Sequence, residues 1–116
     1  MATKDPREPF TRISVAEAKE KLDKGEAVMV DVREPDEYAE VHANGVRLIP
    51  VNTVMGEVKQ IRDLADGKEV LFICKSGQRS ALAAEFATAS GLDELPLFNV
   101  EGGTTAWVAA GYPIGE

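Results

Sequence analysis

The stretch Glu69-Val-Leu-Phe-Ile-Cys74-Lys75-Ser76-Gly77-Gln78-Arg79-Ser80 constrains this chain more than any other. An apolar run passes directly into the only cysteine and two cations, then into Ala81-Leu82-Ala83-Ala84-Glu85-Phe86. That order reads as strand, tight loop, helix. A loop of this form aims backbone N–H groups at one point, and the positive end of the following helix dipole adds to them. An anion or a thiolate is stabilised there.

The rest of the chain supplies the frame. Ala27-Val-Met-Val-Asp31-Val32 is apolar on both alternating faces until near its end, the pattern of a strand buried on both sides of a sheet. Phe10–Ile13 and Leu97–Val100 read as further strands, and Arg47-Leu-Ile-Pro50-Val51 as a short or edge strand, since Pro50 cannot donate to a ladder. Between them lie helical signals. Ser14 and Glu17 form a capping box ahead of Val15, Ala18 and Leu22 on one face, with Gly25 as the stop. Pro35 opens a short helix to about Val41, followed by a turn at Asn44-Gly45. Val54, Val58, Ile61 and Leu64 predict one helix from Asn52 or Thr53 to Asp66-Gly67. A helix over Arg79 to Ser90 is expected to turn Leu82, Phe86 and Ala89 inward, and a last helix holds Trp107 and Val108.

Residues 1–9 read as a loose lead-in and residues 10–116 as one domain, the size a single core supports. Alternating strands and helices favour a parallel sheet with helices on both faces. In such sheets ligands bind beyond the carboxyl ends of the strands. That rule gathers Asp31-Val-Arg33, Cys74 to Arg79, and Glu101-Gly-Gly103 at one edge.

Composition narrows the function classes. A formal net charge of −7 argues against general nucleic-acid binding, which needs a basic surface. No run approaches the roughly 18 apolar residues of a membrane span. The opening ten residues lack the basic-then-apolar order of a signal peptide, so a cytoplasmic location is the expectation. One cysteine excludes an internal disulfide, a Cys-x-x-Cys pair and a multi-cysteine zinc site. No metal or cofactor is expected, and any sulfur chemistry must finish on an outside partner.

A free cysteine with a pKa of about 8.5 is mostly protonated at neutral pH, whereas a helix N-terminus and adjacent cations lower it to roughly 3.5 to 7.5. Both are suggested around Cys74, which then needs no histidine partner; the single His42 lies in a different segment and reads as a turn or packing residue. Gly77 lets the backbone approach a bound group closely, and Ser76, Gln78 and Ser80 offer further donors. Such a ring holds either an oxyanion or an extra sulfur atom.

These residues resemble the rhodanese (sulfurtransferase) family from about Ser14 to Pro113. Asp31-Val-Arg33-Glu34-Pro-Asp-Glu37-Tyr38 is similar to its first signature, and Cys74-Lys-Ser-Gly77-Gln-Arg79-Ser80 to its active-site loop. Glu101-Gly102-Gly103 with Trp107 and Gly111-Tyr-Pro113 is similar to its C-terminal signature. Val41-His42-Ala43-Asn44-Gly45-Val46 departs from the family's Gly-His-Ile-x-Gly-Ala by lacking the first glycine. The resemblance implies an α/β fold with a five-stranded parallel sheet flanked by helices on both faces. It implies that Cys74 takes a sulfane sulfur from a small anionic donor such as thiosulfate, and that cyanide, a thiol or an acceptor protein removes it. The backbone of Lys75 to Arg79 would cradle the persulfide, the Lys75 and Arg79 side chains would attract the donor, and Asp31, Arg33 and Glu101 would support the loop. Phosphatases and arsenate reductases of the same fold class carry one more residue between cysteine and arginine, so the four intervening residues here favour sulfur over phosphate. A non-enzymatic or sulfur-carrying regulatory module is the alternative reading.

Overall fold

The computed structural model describes residues 2–115. Its strands are β1 (Thr3–Lys4), β2 (Thr11–Ile13), β3 (Ala27–Asp31), β4 (Arg47–Leu48), β5 (Glu69–Ile73) and β6 (Leu97–Val100). They form one sheet in the order β1-β2-β6-β5-β3-β4. The strands from β2 to β6 run parallel, as expected. The sheet has six strands rather than five, because Thr3 and Lys4 pair antiparallel with Arg12 and Thr11. This short edge lies in the stretch expected to be a loose lead-in. It has no apolar alternation to read, and polar contacts hold it: Lys4 reaches the Glu8 carbonyl, and Arg12 pairs with Glu8.

The helices are α1 (Val15–Asp23), α2 (Pro35–Glu40), α3 (Val58–Ala65), α4 (Gln78–Ala89) and α5 (Gly103–Ala109). Strand alternation sorts them into two layers. Val30 and Val32 of the β3 segment and Val70, Phe72 and Cys74 of the β5 segment pack with α3 and α4 residues such as Ile61, Ala83 and Ala87. Met29, Leu71 and Ile73 point the other way, toward Ala18 of α1 and Trp107 of α5. Two strands covered by helices on both faces are what the continuous apolar runs required.

Two helical expectations need correction. The helix foreseen from Asn52 or Thr53 to Leu64 is a 3-10 helix at Val51–Gly56 followed by α3, with Glu57 (φ −119°, ψ 17°) breaking the α geometry between them. Its apolar positions still reach the core, so the spacing survived while the backbone did not. In α4, Leu82 is 42% exposed and Ala89 is exposed, and the buried face is Ser80, Ala83, Ala84 and Ala87. Small side chains let α4 lie close on β5, β6 and the 3-10 helix, Phe86 packs partly buried against the same core as expected, and Leu82 lies on the outer face.

From β3 the chain moves outward to β4 on one side, and from β5 it moves to β6 on the other, although β3 and β5 are neighbours. The carboxyl ends of β3 and β5 therefore flank a topological switch point, where a crevice opens. The β3 end is fastened by Asp31, whose carboxylate accepts from the Arg33 backbone N–H at 3.0 Å and from its guanidinium at 2.8 Å. Arg33 also donates to the Val41 carbonyl at 2.7 Å. Both charged side chains are buried, at 0% and 5% exposure. Removing one partner of such a pair costs about 3–5 kcal/mol. Asp31→Ala should therefore lower stability by about that amount in urea unfolding, and a loss below about 1 kcal/mol would show that Arg33 finds water instead.

Candidate active site

Cys74 directly follows β5 and continues its alternation, so its side chain points into the α3 and α4 layer and is 1% exposed. The sulfur is not left bare. The Gly77 backbone N–H donates to Sγ at 3.0 Å, and the Ser80 hydroxyl lies 3.3 Å away. Burial pushes the Cys74 thiol up. Hydrogen bonding by the Ser80 hydroxyl and by the amides of Ser80, Gly77 and Ser76 outweighs it, leaving the pKa below that of an ordinary cysteine. The direction agrees with the sequence expectation. The main cause is the loop's hydrogen bonds rather than the neighbouring cations.

The shape of this loop is set from behind. The Cys74 carbonyl accepts from the Thr104 backbone N–H at 2.8 Å and from its hydroxyl at 3.0 Å, and the Lys75 carbonyl accepts from the Thr105 N–H at 3.2 Å. Those donors are the otherwise unpaired amides at the start of α5. Such close approach requires Gly103, where an added Cβ would lie 2.4 Å from the Lys75 carbonyl oxygen and 2.5 Å from that of Cys74. Gly77 serves differently: its φ of +108° is the requirement, since a Cβ there would make only ordinary contacts.

Arg79 does not stand free at the mouth. Its guanidinium grips the Glu37 carboxylate through two bonds of 2.7 and 2.9 Å. Glu37 also accepts from the Glu34 backbone N–H at 2.9 Å, closing the capping box of α2. The Arg79 guanidinium pulls the Glu37 pKa down to about 2 against the opposing effect of burial. Lys75 is exposed and makes no ion pair among the described residues. It lines a cavity of about 380 Å³ together with Arg33, Asp36, Glu40, Thr104 and Val108, at the switch point between β3 and β5. Ser76 and Gln78 are exposed on the loop.

The remaining anticipated residues lie further out. Asp31 binds Arg33 from behind the cavity wall to which Arg33 itself contributes. The exposed Glu101 side chain bridges to Arg12 at 3.2 Å, while its backbone N–H donates to Ile13. His42 stacks on Tyr38 with 3.8 Å between ring centres and holds the Tyr38 carbonyl at 2.8 Å through Nδ1. It makes no hydrogen bond to Cys74 among the described residues. Sequence reasoning missed Asn99 and Thr104 as parts of the site, and treated Glu37 only as a motif residue. Asn99 interrupts the apolar alternation of β6 opposite Phe72, a polar group where the pattern calls for a buried one, and that was the available signal.

The chain matches the Rhodanese-like domain family over residues 14–110. It belongs to that family. The YrkF protein of Bacillus subtilis (strain 168), whose name gives it provisionally as a sulfur carrier protein, is 37% identical over 97 residues. That match covers 82% of this chain and 49% of the relative, so the chain spans about half the length of the curated relative. A rhodanese-related protein from Thermoplasma volcanium superposes with a TM-score of 0.69 at 30% identity, covering 90% of this chain and 96% of the other. Thiosulfate sulfurtransferase from Pseudomonas aeruginosa gives a TM-score of 0.77 at 25% identity, covering 90% of this rhodanese-like domain and 20% of that enzyme.

Gly103→Ala should lower stability by more than about 1 kcal/mol and slow alkylation of Cys74 by iodoacetamide. Gly111→Ala supplies the control, because Gly111 also has positive φ (+76°) but open space around its Cβ position. Equal alkylation rates in the two variants would sink the role assigned to Gly103. The Glu37–Arg79 pair predicts a pH signature. Glu37 has its folded pKa depressed from 4.5 to about 2, so its contribution is full above about 4.5 and lost as pH falls through about 2. The urea midpoints of the wild type and Glu37→Gln should converge across that window, and a constant gap would refute the assignment.

Proposed function

We propose that this rhodanese-like domain transfers sulfane sulfur through a persulfide on Cys74. The observation that carries the reading is the Cys74 sulfur held at the end of a central strand by the Gly77 amide, inside a loop with only four residues between it and Arg79. The thiolate attacks the outer sulfur of a donor such as thiosulfate. The donor's S–S bond breaks, sulfite leaves with the electron pair, and Cys74 carries the persulfide. In this reading the amides of Ser76, Gly77 and Ser80, which already bond to Cys74, receive the added sulfur, which needs donors rather than the wider bowl of a tetrahedral oxyanion. An external thiol or an acceptor protein then attacks the outer sulfur, and Cys74 departs as the thiolate. No metal or cofactor enters this cycle, and the cytoplasm is its expected setting.

Charge bears on the donor. With Arg79 neutralised by Glu37, Lys75 is the cation left to meet a small anionic donor, and Asp36 and Glu40 line the same cavity. A second reading follows: the domain receives sulfur from a persulfide and passes it on as a carrier. The name of the Bacillus relative supports it. The two readings share the persulfide and differ in its source and destination.

Incubation with thiosulfate followed by intact-mass measurement should add the mass of one sulfur atom, lost again on addition of cyanide with release of thiocyanate. Cys74→Ser should abolish both. A chain that loads from a small-molecule persulfide but not from thiosulfate supports the carrier reading. One that loads from neither, while Cys74-dependent turnover of a phosphate ester is robust, overturns both.

A further inference from the structure

Asn99 is a buried polar side chain on an otherwise apolar strand, 1% exposed, and the reaction as described does not use it. Its Nδ2 lies 3.0 Å from the Gly77 carbonyl and its Oδ1 lies 2.5 Å from the Ser80 hydroxyl. Gly77 and Ser80 are also the residues that hold the Cys74 sulfur. A closed circuit results: Sγ to Gly77, Gly77 to Asn99, Asn99 to Ser80, and Ser80 back to Sγ.

The chemistry of each atom fixes the hydrogens. The Gly77 carbonyl can only accept, so the amide group facing it must be the NH2, and Oδ1 must face Ser80. Oδ1 has no hydrogen, so the single Ser80 hydroxyl hydrogen is donated to Asn99. Ser80 then meets the sulfur with a lone pair, matched to an S–H donor or to the uncharged inner sulfur of a persulfide. It does not suit a bare thiolate in that position. When charge develops on Sγ, rotation of one hydroxyl bond turns the hydrogen toward sulfur with no movement of heavy atoms. A hydrogen bond to an ionised acceptor is roughly twice as strong as a neutral one. The move leaves Oδ1 buried without that donor.

We infer that Asn99 is a positioning residue that holds the Ser80 hydroxyl hydrogen away from Cys74 while the sulfur is uncharged and yields it when the sulfur becomes a thiolate. Asn99 competes with the thiolate for that hydrogen and so favours the states in which Sγ is neutral, the thiol and the loaded persulfide. In the transfer step the bond between Sγ and the outer sulfur breaks, the electron pair stays on Sγ, and the Ser80 hydrogen swings across to meet it. Asn99 thereby slows the attack of an acceptor on the outer sulfur. The persulfide part of this inference rests on the sulfur-transfer reading, and the part concerning the thiol does not.

The test measures the pH dependence of Cys74 alkylation by iodoacetamide, which needs no sulfur donor. Asn99→Ala should lower the apparent pKa of Cys74 by roughly one unit, since the Ser80 hydrogen is then free to serve the thiolate. Asn99→Asp should raise it, because a carboxylate grips that hydrogen harder and adds a like charge. In a Ser80→Ala background the shift caused by Asn99→Ala should disappear. An unchanged or raised pKa in Asn99→Ala, or a lowered one that persists without Ser80, overturns the inference and leaves Asn99 as a brace for Gly77. Should Asn99→Ala fail to fold, Ser80→Ala alone decides: it should raise the pKa, and an unchanged value removes the hydroxyl from the scheme. Persulfide lifetime provides a separate reading. Faster loss to cyanide from loaded Asn99→Ala than from the wild type is expected, and an equal rate would overturn the release role; failure of every variant to load would instead count against sulfur transfer itself.

Discussion

The loop around Cys74 depends on where two of its carbonyl groups point. Peptide planarity makes the C=O and N–H of one unit face opposite ways, so turning the Cys74 and Lys75 carbonyls toward α5 turns the amides that follow them away from it. Thr104 and Thr105 accomplish this with the unpaired N–H groups that any helix has at its start. Both sides gain, since α5 finds acceptors for its first turn and the loop obtains a fixed ring of donors without side-chain cost. Gly103 is the point at which the two backbones nearly touch, and this contact between residues some thirty positions apart makes the strand-loop-helix unit rigid.

That dependence separates what the sequence could reveal from what it could not. The continuous apolar runs over β3 and β5 announced strands covered on both faces, and the capping box at Ser14 and Glu17 is present as read. Local patterns such as these are written in adjacent residues. Thr104 has no such mark: its function is to meet the Cys74 carbonyl, and nothing in a Gly-Gly-Thr-Thr segment states which distant backbone will arrive. The expected inward face of α4 fails at Leu82 and Ala89, though not at Phe86, for a related reason. Leu82 is the larger hydrophobe, but the nearness of the sheet and the 3-10 helix favours alanines, and tertiary crowding decided against side-chain hydrophobicity. The break at Glu57 reflects the limit of a spacing argument, since 3-10 and α turns can both deliver Val54 and Val58 to one core.

Electrostatics of the mouth also follow from long-range pairing rather than from the loop alone. Lys75 and Arg79 read as two free cations in sequence. In the fold Glu37 reaches Arg79 from α2, and the carboxylate that completes the α2 cap also neutralises the loop arginine. Glu37 therefore ties the segment after β3 to the segment after β5 across the switch point. The pair is partly exposed, so it contributes to shape more than to stability. Its consequence is that the field at the sulfur comes from the Ser80 hydroxyl and the backbone amides of Ser80, Gly77 and Ser76, which act at short range.

Such a field acts on a sulfur that is almost wholly covered. Cys74 inherits its inward direction from the alternation of Val70 and Phe72, so burial is imposed by the strand and would by itself favour the neutral thiol. Burial also strengthens every hydrogen bond made to the sulfur, because water does not compete there. The Gly77 amide has a fixed direction, whereas in the proposed scheme the Ser80 hydroxyl turns between Asn99 and Sγ. One donor is thus constant and the other responds to charge. The proposed exchange of Cys74 between neutral and ionised sulfur is better served by that combination than by two permanent donors, which would favour the thiolate over the thiol throughout.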